Sequence, residues 1–260
     1  MPTRARLTVA RFVLAVLLAA CTAASGARPP ARPSATPQMP ANQRAMRLET
    51  DTTEAGDVRY LLYLPPAYAK ARKPWPLVLF LHGLGESGHD LALVGKHGPP
   101  KLIGAGNDFP FICVSPQCPK GKWWSRPDRL AGLVALLDHV QTTYRVDTDR
   151  VYLTGLSMGG FGTWALAARE PKRFAALAPI CGKGDPATAE RFAQTPTWVF
   201  HGDADRVVPL QHSRDMVDAL RKAGGTPKLT VYEGVGHDSW TRTYANPDFW
   251  KWILAQRRKR

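Results

Sequence analysis

The 260-residue sequence contains a serine between glycines that could act as a nucleophile. Residues 155–160 read GLSMGG, a G-x-S-x-G pattern centred on Ser157. On a sharp strand-to-helix turn this pattern exposes the serine hydroxyl, and its glycines prevent collisions with neighbouring backbone. The backbone amide of Met158 would then begin a helix and stabilise an oxyanion. A glycine-rich helix start without chemistry is the alternative, and the strand-like residues before the motif disfavour it.

Two later segments offer the acid and the base that such a serine needs. HGDADRVVP at 201–209 carries Asp203 and Asp205, and GVGHDSW at 234–240 carries His237. In a triad the histidine takes the serine proton, and the carboxylate fixes the histidine tautomer. A lone loop histidine is more often a surface residue, but the order serine, aspartate, histidine fits a triad. Both aspartates remain candidates, because either suits a turn.

A third segment, HGLGE at 82–86, follows the apolar run LVLFL. A glycine-bearing loop after a buried strand can direct a backbone amide toward a reacting carbonyl group. We assign the amide of Leu84 as the second oxyanion donor. We predict a structural role for His82, because it ends the buried strand.

The elements that must position these residues alternate between strand-like and helix-like patterns. Short, fully apolar strands separated by helices predict a mostly parallel sheet with helices on both faces. Active sites of such sheets lie at the carboxyl ends of the strands, where the four segments fall. We expect strands at 58–64, 77–81, 111–114, 150–154, 174–180, 197–200 and 229–232, and helices at 128–143, 158–169, 210–222 and 247–255.

Composition and charge exclude several classes of protein. Eight Trp, nine Phe and seven Tyr are too many for a wholly disordered chain. After residue 21, no apolar stretch is long enough for a polytopic membrane protein. The net charge is +14, but residues 1–47 hold seven arginines and no acid. Half of the excess therefore lies in the predicted leader and tether and the first three residues of the expected domain, and we predict no nucleic-acid partner.

The amino-terminal residues predict export to the bacterial periplasm or cell envelope. Residues 1–20 combine a basic start with the apolar run FVLAVLLAA, which is typical of a signal peptide. The LAAC sequence ending at Cys21 resembles the lipobox of bacterial lipoproteins, in which the cysteine is lipidated. Ordinary cleavage nearby, for example after Ala27, is the alternative. A lipid anchor would be the only membrane contact.

The remaining chain divides into a tether and a catalytic domain. Residues 21–44 are rich in Ala, Pro and Arg and predict a semi-extended tether. Residues 45–260 form the expected domain. Its cysteines, Cys113, Cys118 and Cys181, are treated as structural, although the spacing of the first two allows a disulfide. No cluster has the spacing of a metal site, and the chemistry needs no cofactor.

A family resemblance covers residues 55–257. HGLGESG, GLSMGGFGTWALA, HGDADRVVP and GHDSWTRTY, in this order, resemble the small lidless α/β-hydrolases. The most similar groups are the phospholipase/carboxylesterase and dienelactone-hydrolase-like branch, with its exported predicted peptidases and polyhydroxybutyrate-depolymerase-like esterases. The resemblance implies an α/β-hydrolase fold and the triad Ser157–Asp205–His237. A serine nucleophile, where dienelactone hydrolases proper have cysteine, argues against dienelactone chemistry.

The expected function is that of a serine carboxylic-ester hydrolase with an acyl-enzyme intermediate. Short to medium or polymer-attached esters are the expected substrates, because residues 181–196 are too few for a separate lid domain. Trp123, Trp124 and Trp240 are candidate substrate contacts, and core packing is the alternative for the first two. A serine peptidase related to prolyl oligopeptidase and a non-catalytic binding lipoprotein are the alternative functions. The oligomeric state is not predicted.

Overall fold

The computed structural model describes residues 42–49 and 56–258. The predicted signal peptide, Cys21 and residues 21–41 of the predicted tether lie outside these residues. No helix in the described ranges has the length and hydropathy needed to cross a membrane.

Eight strands form one sheet in the order β1-β2-β4-β3-β5-β6-β7-β8. The strand β2 is antiparallel to both of its neighbours, and the other neighbouring pairs are parallel. The predicted mostly parallel sheet is therefore confirmed. The strands are β1 (Arg44–Leu48), β2 (Val58–Tyr63), β3 (Trp75–Leu81), β4 (Ile112–Pro116), β5 (Val146–Leu156), β6 (Ala176–Ile180), β7 (Trp198–Gly202) and β8 (Lys228–Tyr232).

Helices connect the strands and cover the sheet. The α-helices of the described chain are α1 (Gly98–Gly104), α2 (Pro127–Thr143), α3 (Met158–Arg169), α4 (Gln211–Lys222), α5 (Trp240–Ala245) and α6 (Pro247–Ala255). Short 3₁₀ helices occupy Leu84–Glu86, Leu91–Lys96 and Pro186–Phe192. The last of these is the only helix between β6 and β7, so this connection carries no lid domain.

The sheet is buried on both faces, which explains the apolar character of its central strands. In β3 every residue is buried, and successive side chains point to opposite faces. Leu79 packs in one cluster with Leu133 of α2 and Leu166 of α3. Phe80 packs in the other with Phe249 of α6. Strands that are buried on both faces do not alternate between apolar and polar residues, as expected for a parallel sheet.

Besides the short 3₁₀ helices, one strand and two α-helices were not predicted from the sequence. The edge strand β1 is mostly exposed, so it lacks an apolar pattern. The helix α1 begins with glycine and two prolines at 98–100, which favour a loop in sequence analysis but are tolerated in the first helical turn. The six-residue α5 is too short to show a helical period.

Candidate active site

The sheet brings the candidate catalytic segments to one edge. Ser157 follows β5 directly, and the loop starting at His82 follows β3. Asp205 lies three residues after β7, and His237 lies five residues after β8. Because these strands are parallel, their carboxyl ends meet at the same edge of the sheet. This edge holds the candidate active site.

Ser157 lies on a strained turn between β5 and α3. Its backbone has φ 52° and ψ −119°, a conformation that side chains with a Cβ rarely adopt. A Cβ on Gly159 would lie 1.9 Å from the carbonyl oxygen of Leu81, and one on Gly155 would lie 2.4 Å from that of Gly159. Only glycine fits at these two positions, so the motif lets helix, turn and neighbouring strand pack closely around the serine.

Ser157, His237 and Asp205 form a continuous hydrogen-bonded chain. His237 Nε2 lies 2.9 Å from Ser157 Oγ, and His237 Nδ1 lies 2.7 Å from Asp205 Oδ2. A carboxylate only accepts, so Nδ1 carries the proton and Nε2 is free to accept the serine hydroxyl proton. The arrangement has the geometry that a nucleophile, a general base and an orienting carboxylate require.

Asp205 is held as a buried carboxylate. Its Oδ1 accepts hydrogen bonds from the backbone amides of Val207 and Val208 at 2.8 and 2.9 Å. Burial alone would raise the pKa of Asp205, but the hydrogen bonds from His237, Val208 and Val207 outweigh burial and hold its pKa below the ordinary value. The carboxylate therefore remains charged at neutral pH.

Asp203, the competing candidate, has a different role in the structure. Its Oδ1 accepts the backbone amide of Gly234 at 2.7 Å. This bond joins the loop after β7 to the loop after β8. The structure thus brings Asp205, and not Asp203, to the histidine.

His201 is a contact of Asp205 that the sequence analysis did not single out. The fully buried ring donates from Nε2 to the carbonyl of Val208 at 2.8 Å, and Nδ1 accepts from Ser213 Oγ at 2.7 Å. Nε2 also lies 3.3 Å from Asp205 Oδ2. Burial lowers the pKa of His201, so the ring is neutral. It braces the loop that carries Asp205.

His82 has the buried environment of a structural residue. Nδ1 donates to the carbonyl of Gly83 at 2.6 Å, and Nε2 accepts the amide of Cys118 at 2.9 Å. The indole of Trp124 donates to the carbonyl of His82 at 3.1 Å. Burial lowers the pKa of His82 from 6.5 to about 4. The neutral ring joins the loop after β3 to the segment after β4.

This lowered pKa predicts a loss of stability in mild acid. Between pH 6.5 and 4 the unfolded state takes up a proton on His82 and the folded state does not, so stability falls as the pH falls through this window. The contribution between pH 7 and 5 is about 2 kcal/mol. We expect His82→Gln to have a flatter profile of unfolding free energy over this range, measured by urea denaturation. Profiles with equal slopes would contradict the proposed burial of a neutral ring.

The loop after β3 lies against the serine. A Cβ on Gly83 would meet Ser157 Cβ at 3.7 Å and Leu156 Cδ1 at 2.8 Å, so glycine permits this close approach. Leu84 follows at the start of a 3₁₀ helix. Met158 is the first residue of α3, where backbone amides have no acceptor within the helix. Both sequence-assigned oxyanion donors therefore belong to segments that flank Ser157.

A cleft of about 430 Å³ opens over the serine. One wall is apolar and is formed by Leu84, Trp123, Phe161, Val207 and Val208.

The three candidate tryptophans differ in position. Trp123 is 41% exposed in the cleft and packs edge-on against Phe161, with ring centroids 5.7 Å apart. Trp240 also lines the cleft, and its ring lies edge-on to that of His237 at 5.2 Å. Trp124 is 2% exposed and packs in the core, where a Cβ on Gly162 would touch it. Trp124 therefore does not line the cleft. It packs in the core, which was the alternative expectation for this residue.

A polar wall of the cleft was not recognised in the sequence. Glu86 and His97 line the cleft, with His97 Nε2 3.7 Å from Glu86 Oε1. His97 Nδ1 accepts the indole N–H of Trp240 at 3.3 Å. Glu86 belongs to the HGLGE segment after β3, but only the backbone amide of Leu84 was assigned a role there. His97 does not follow a sheet strand directly, so its position in the sequence gave no signal.

The three cysteines in the described ranges are buried free thiols, and burial raises their pKa values to about 12. Cys113 and Cys118 are therefore not joined by the disulfide that their spacing allows.

The ligand atoms of Cys181, Asp205 and His237 lie within 4.8 Å of one another. A metal ion there would have to displace the hydrogen bond between Asp205 and His237 and deprotonate a thiol of high pKa. The donors therefore suit a hydrogen-bonded triad better than a metal site.

Comparison with known proteins places this geometry in a family. Residues 116–247 match the dienelactone hydrolase family. The chain is 30% identical over 236 residues to the putative esterase NocK of Nocardia uniformis subsp. tsuyamanensis, covering 80% of this chain and 67% of that protein. The chain belongs to the dienelactone hydrolase family. This membership confirms the resemblance to the α/β-hydrolases that the sequence motifs indicated.

This member of the dienelactone hydrolase family is also similar to a depolymerase and to an esterase of known structure. It is 32% identical over 146 residues to poly(3-hydroxyalkanoate) depolymerase C of Paucimonas lemoignei, covering half of this chain and 32% of that protein. A crystal structure of a thermostable esterase matches with a TM-score of 0.74 and 33% identity, covering 85% of this chain and 64% of that one. The family and these relatives support a hydrolase of the esterase type.

Proposed function

We propose that the protein is a serine carboxylic-ester hydrolase that forms an acyl-enzyme on Ser157. The hydrogen-bonded chain from Ser157 through His237 to Asp205 carries this proposal. It joins a nucleophile and a base that line the open cleft to a buried carboxylate, which is the arrangement that acyl transfer needs.

Acylation begins when Ser157 Oγ attacks the ester carbonyl carbon and His237 Nε2 takes the hydroxyl proton. The tetrahedral oxyanion accepts hydrogen bonds from the backbone amides of Leu84 and Met158. Asp205 stabilises the imidazolium, because its lowered pKa keeps it charged. The imidazolium then gives its proton to the leaving alcohol as the ester C–O bond breaks, and the acyl group remains on Ser157.

Deacylation repeats the sequence with water as the nucleophile. His237 Nε2 takes a proton from water, and the water oxygen attacks the acyl carbonyl. The same two amides stabilise the second oxyanion. When the bond to Ser157 Oγ breaks, His237 returns the proton to the serine, and the carboxylic acid leaves.

The cleft indicates esters of short to medium acyl chains or esters attached to a polymer. Its volume of about 430 Å³ is within the range of small-molecule sites. No lid domain interrupts the connection from β6 to β7 at 181–197. A polymer chain could therefore lie across the open site, and the depolymerase named above acts on such a polyester.

Trp123 and Trp124 provide a matched pair of variants for the apolar wall. We expect Trp123→Ala to raise KM several-fold for aromatic or medium-chain esters and to change the unfolding free energy by less than about 1 kcal/mol. Trp124→Ala removes a buried core side chain and should lower the unfolding free energy by about 3–5 kcal/mol. Ester kinetics with chemical denaturation measures both effects. Equal destabilisation by the two substitutions would contradict the assignment.

A substrate panel tests the reaction class. Purified protein is assayed against nitrophenyl esters from acetyl to palmitoyl, together with a prolyl nitroanilide. We expect ester turnover that is highest for short to medium chains. Nitroanilide cleavage without ester cleavage would replace the proposal with the peptidase alternative. A folded protein that cleaves none of these compounds would favour the binding-lipoprotein alternative.

We further propose that residues 1–20 direct export and that Cys21 carries a lipid. The apolar run FVLAVLLAA and the following cysteine support this proposal. Mass spectrometry of membrane-extracted protein tests it. A diacylated Cys21 at the mature terminus is the expected result, and a terminus beyond Cys21 would contradict the anchor.

A further inference from the structure

One residue of the polar wall, Glu86, lies in the segment that also carries the Leu84 oxyanion donor. Glu86 lies two residues after Leu84, in the same 3₁₀ helix. Its side chain is 7% exposed. Glu86 Oε2 lies toward Gly83, whose Cβ would be 3.3 Å away. The other oxygen, Oε1, faces His97 across the wall. The carboxylate is thus fixed between the oxyanion loop and the cleft.

His97 presents a hydrogen-bond donor beside this carboxylate. Burial lowers the pKa of His97, with Lys101 and Lys96 acting in the same direction and Asp238 in the opposite one. The neutral ring accepts from Trp240 at Nδ1, and an indole nitrogen only donates. The ring proton therefore lies on Nε2. The 3.7 Å from this nitrogen to Glu86 Oε1 exceeds hydrogen-bond length.

The His97 donor and the Glu86 acceptor, at this separation, together suit a hydroxyl group. A hydroxyl group both donates and accepts, so one hydroxyl oxygen could accept from His97 Nε2 and donate to Glu86 Oε1. An ammonium group would satisfy Glu86 but would meet the N–H of His97 and the nearby charge of Lys96. A purely apolar group would leave the N–H of His97 without a partner and would leave the buried carboxylate with only its backbone hydrogen bonds to Gly83 and Glu86.

We propose that Glu86 and His97 form a subsite for a hydroxyl group of the substrate. The preferred substrates are then esters that carry a free hydroxyl on the acyl or alcohol part, such as hydroxy-acid esters or partial esters of polyols. Trp240 positions the subsite relative to the catalytic centre, because its ring contacts both His97 and His237. This inference rests on the proposed esterase function and adds a recognition element to it.

The test compares matched ester pairs that differ by one hydroxyl. Methyl 3-hydroxybutyrate is compared with methyl butyrate, and 2-hydroxyethyl butyrate with propyl butyrate. We expect kcat/KM to be about tenfold higher for the hydroxylated member of at least one pair, since a partly open site discriminates less than a closed one. In Glu86→Leu, which removes the acceptor, and in His97→Phe, which removes the donor, this ratio should fall to about one.

The ratio is measured within each variant, so a general loss of activity or stability does not affect the comparison. Trp123→Ala, in the apolar wall, is the control: it should raise KM for both members of a pair alike and keep the wild-type ratio. Hydrolysis of every ester with ratios near one in the wild type would overturn the subsite and leave the esterase proposal standing. A preference for methyl 4-aminobutyrate over the hydroxylated esters would assign the wall to a cation instead. Failure to hydrolyse any ester would overturn the proposed function itself.

Discussion

Ser157→Ala is expected to abolish ester hydrolysis, with kcat falling about 10⁴-fold or more. The substitution removes the nucleophilic Oγ that lies 2.9 Å from His237 Nε2. Steady-state kinetics with the preferred nitrophenyl ester measures the loss. The free energy of unfolding should stay close to the wild-type value, because alanine keeps the Cβ and therefore the strain of the positive φ.

Ser157→Gly is the matched control for backbone strain. Glycine removes the Cβ that makes a φ of 52° costly, so the unfolding free energy should rise by about 1 kcal/mol. Activity should be lost as completely as in the alanine variant. Substantial turnover by either variant would show that another group attacks the ester.

Asp205→Asn is expected to lower kcat by about 10³- to 10⁴-fold. The backbone amides of Val207 and Val208 require an acceptor at the Oδ1 position, so they hold the asparagine carbonyl oxygen there. The amide NH₂ then takes the Oδ2 position and donates to His237 Nδ1. The histidine proton is forced onto Nε2, which can no longer accept the proton of Ser157.

Asp203→Asn is the control on the same loop. Asp203 accepts from the backbone amide of Gly234, and an asparagine oxygen can accept this bond equally well. We expect less than a tenfold change in kcat. Equal losses in the two variants would contradict the assignment of the triad carboxylate and would indicate that loop geometry alone explains the effect.

Local motifs explain why the central elements could be predicted. The G-x-S-x-G turn is encoded in adjacent residues, and its glycines are required by contacts of 1.9 and 2.4 Å that any Cβ would make. The β3 strand is buried on both faces, so its apolar run is visible in the sequence. Parallel pairing then brings the strand ends together, which places Ser157, Asp205 and His237 at one edge.

Residues that depend on tertiary neighbours could not be predicted in the same way. His201 contacts Ser213 from the start of α4, and this contact has no local signature. His97 meets Glu86 and Trp240, which are 11 and 143 positions away along the chain. Adjacent tryptophans show the same difficulty, because the path of one loop exposes Trp123 and buries Trp124.

Covalent labelling of the nucleophile tests the central claim most directly. A fluorophosphonate reacts when an activated serine oxygen displaces fluoride from phosphorus, and peptide mass spectrometry then locates the adduct. We expect one adduct per chain, on Ser157, formed in parallel with the loss of esterase activity. The Ser157→Ala variant should acquire no adduct at any residue at the rate at which Ser157 is labelled in the wild type. Inactivation with the adduct on a different residue, or rapid ester turnover by protein that never acquires an adduct, would contradict this claim.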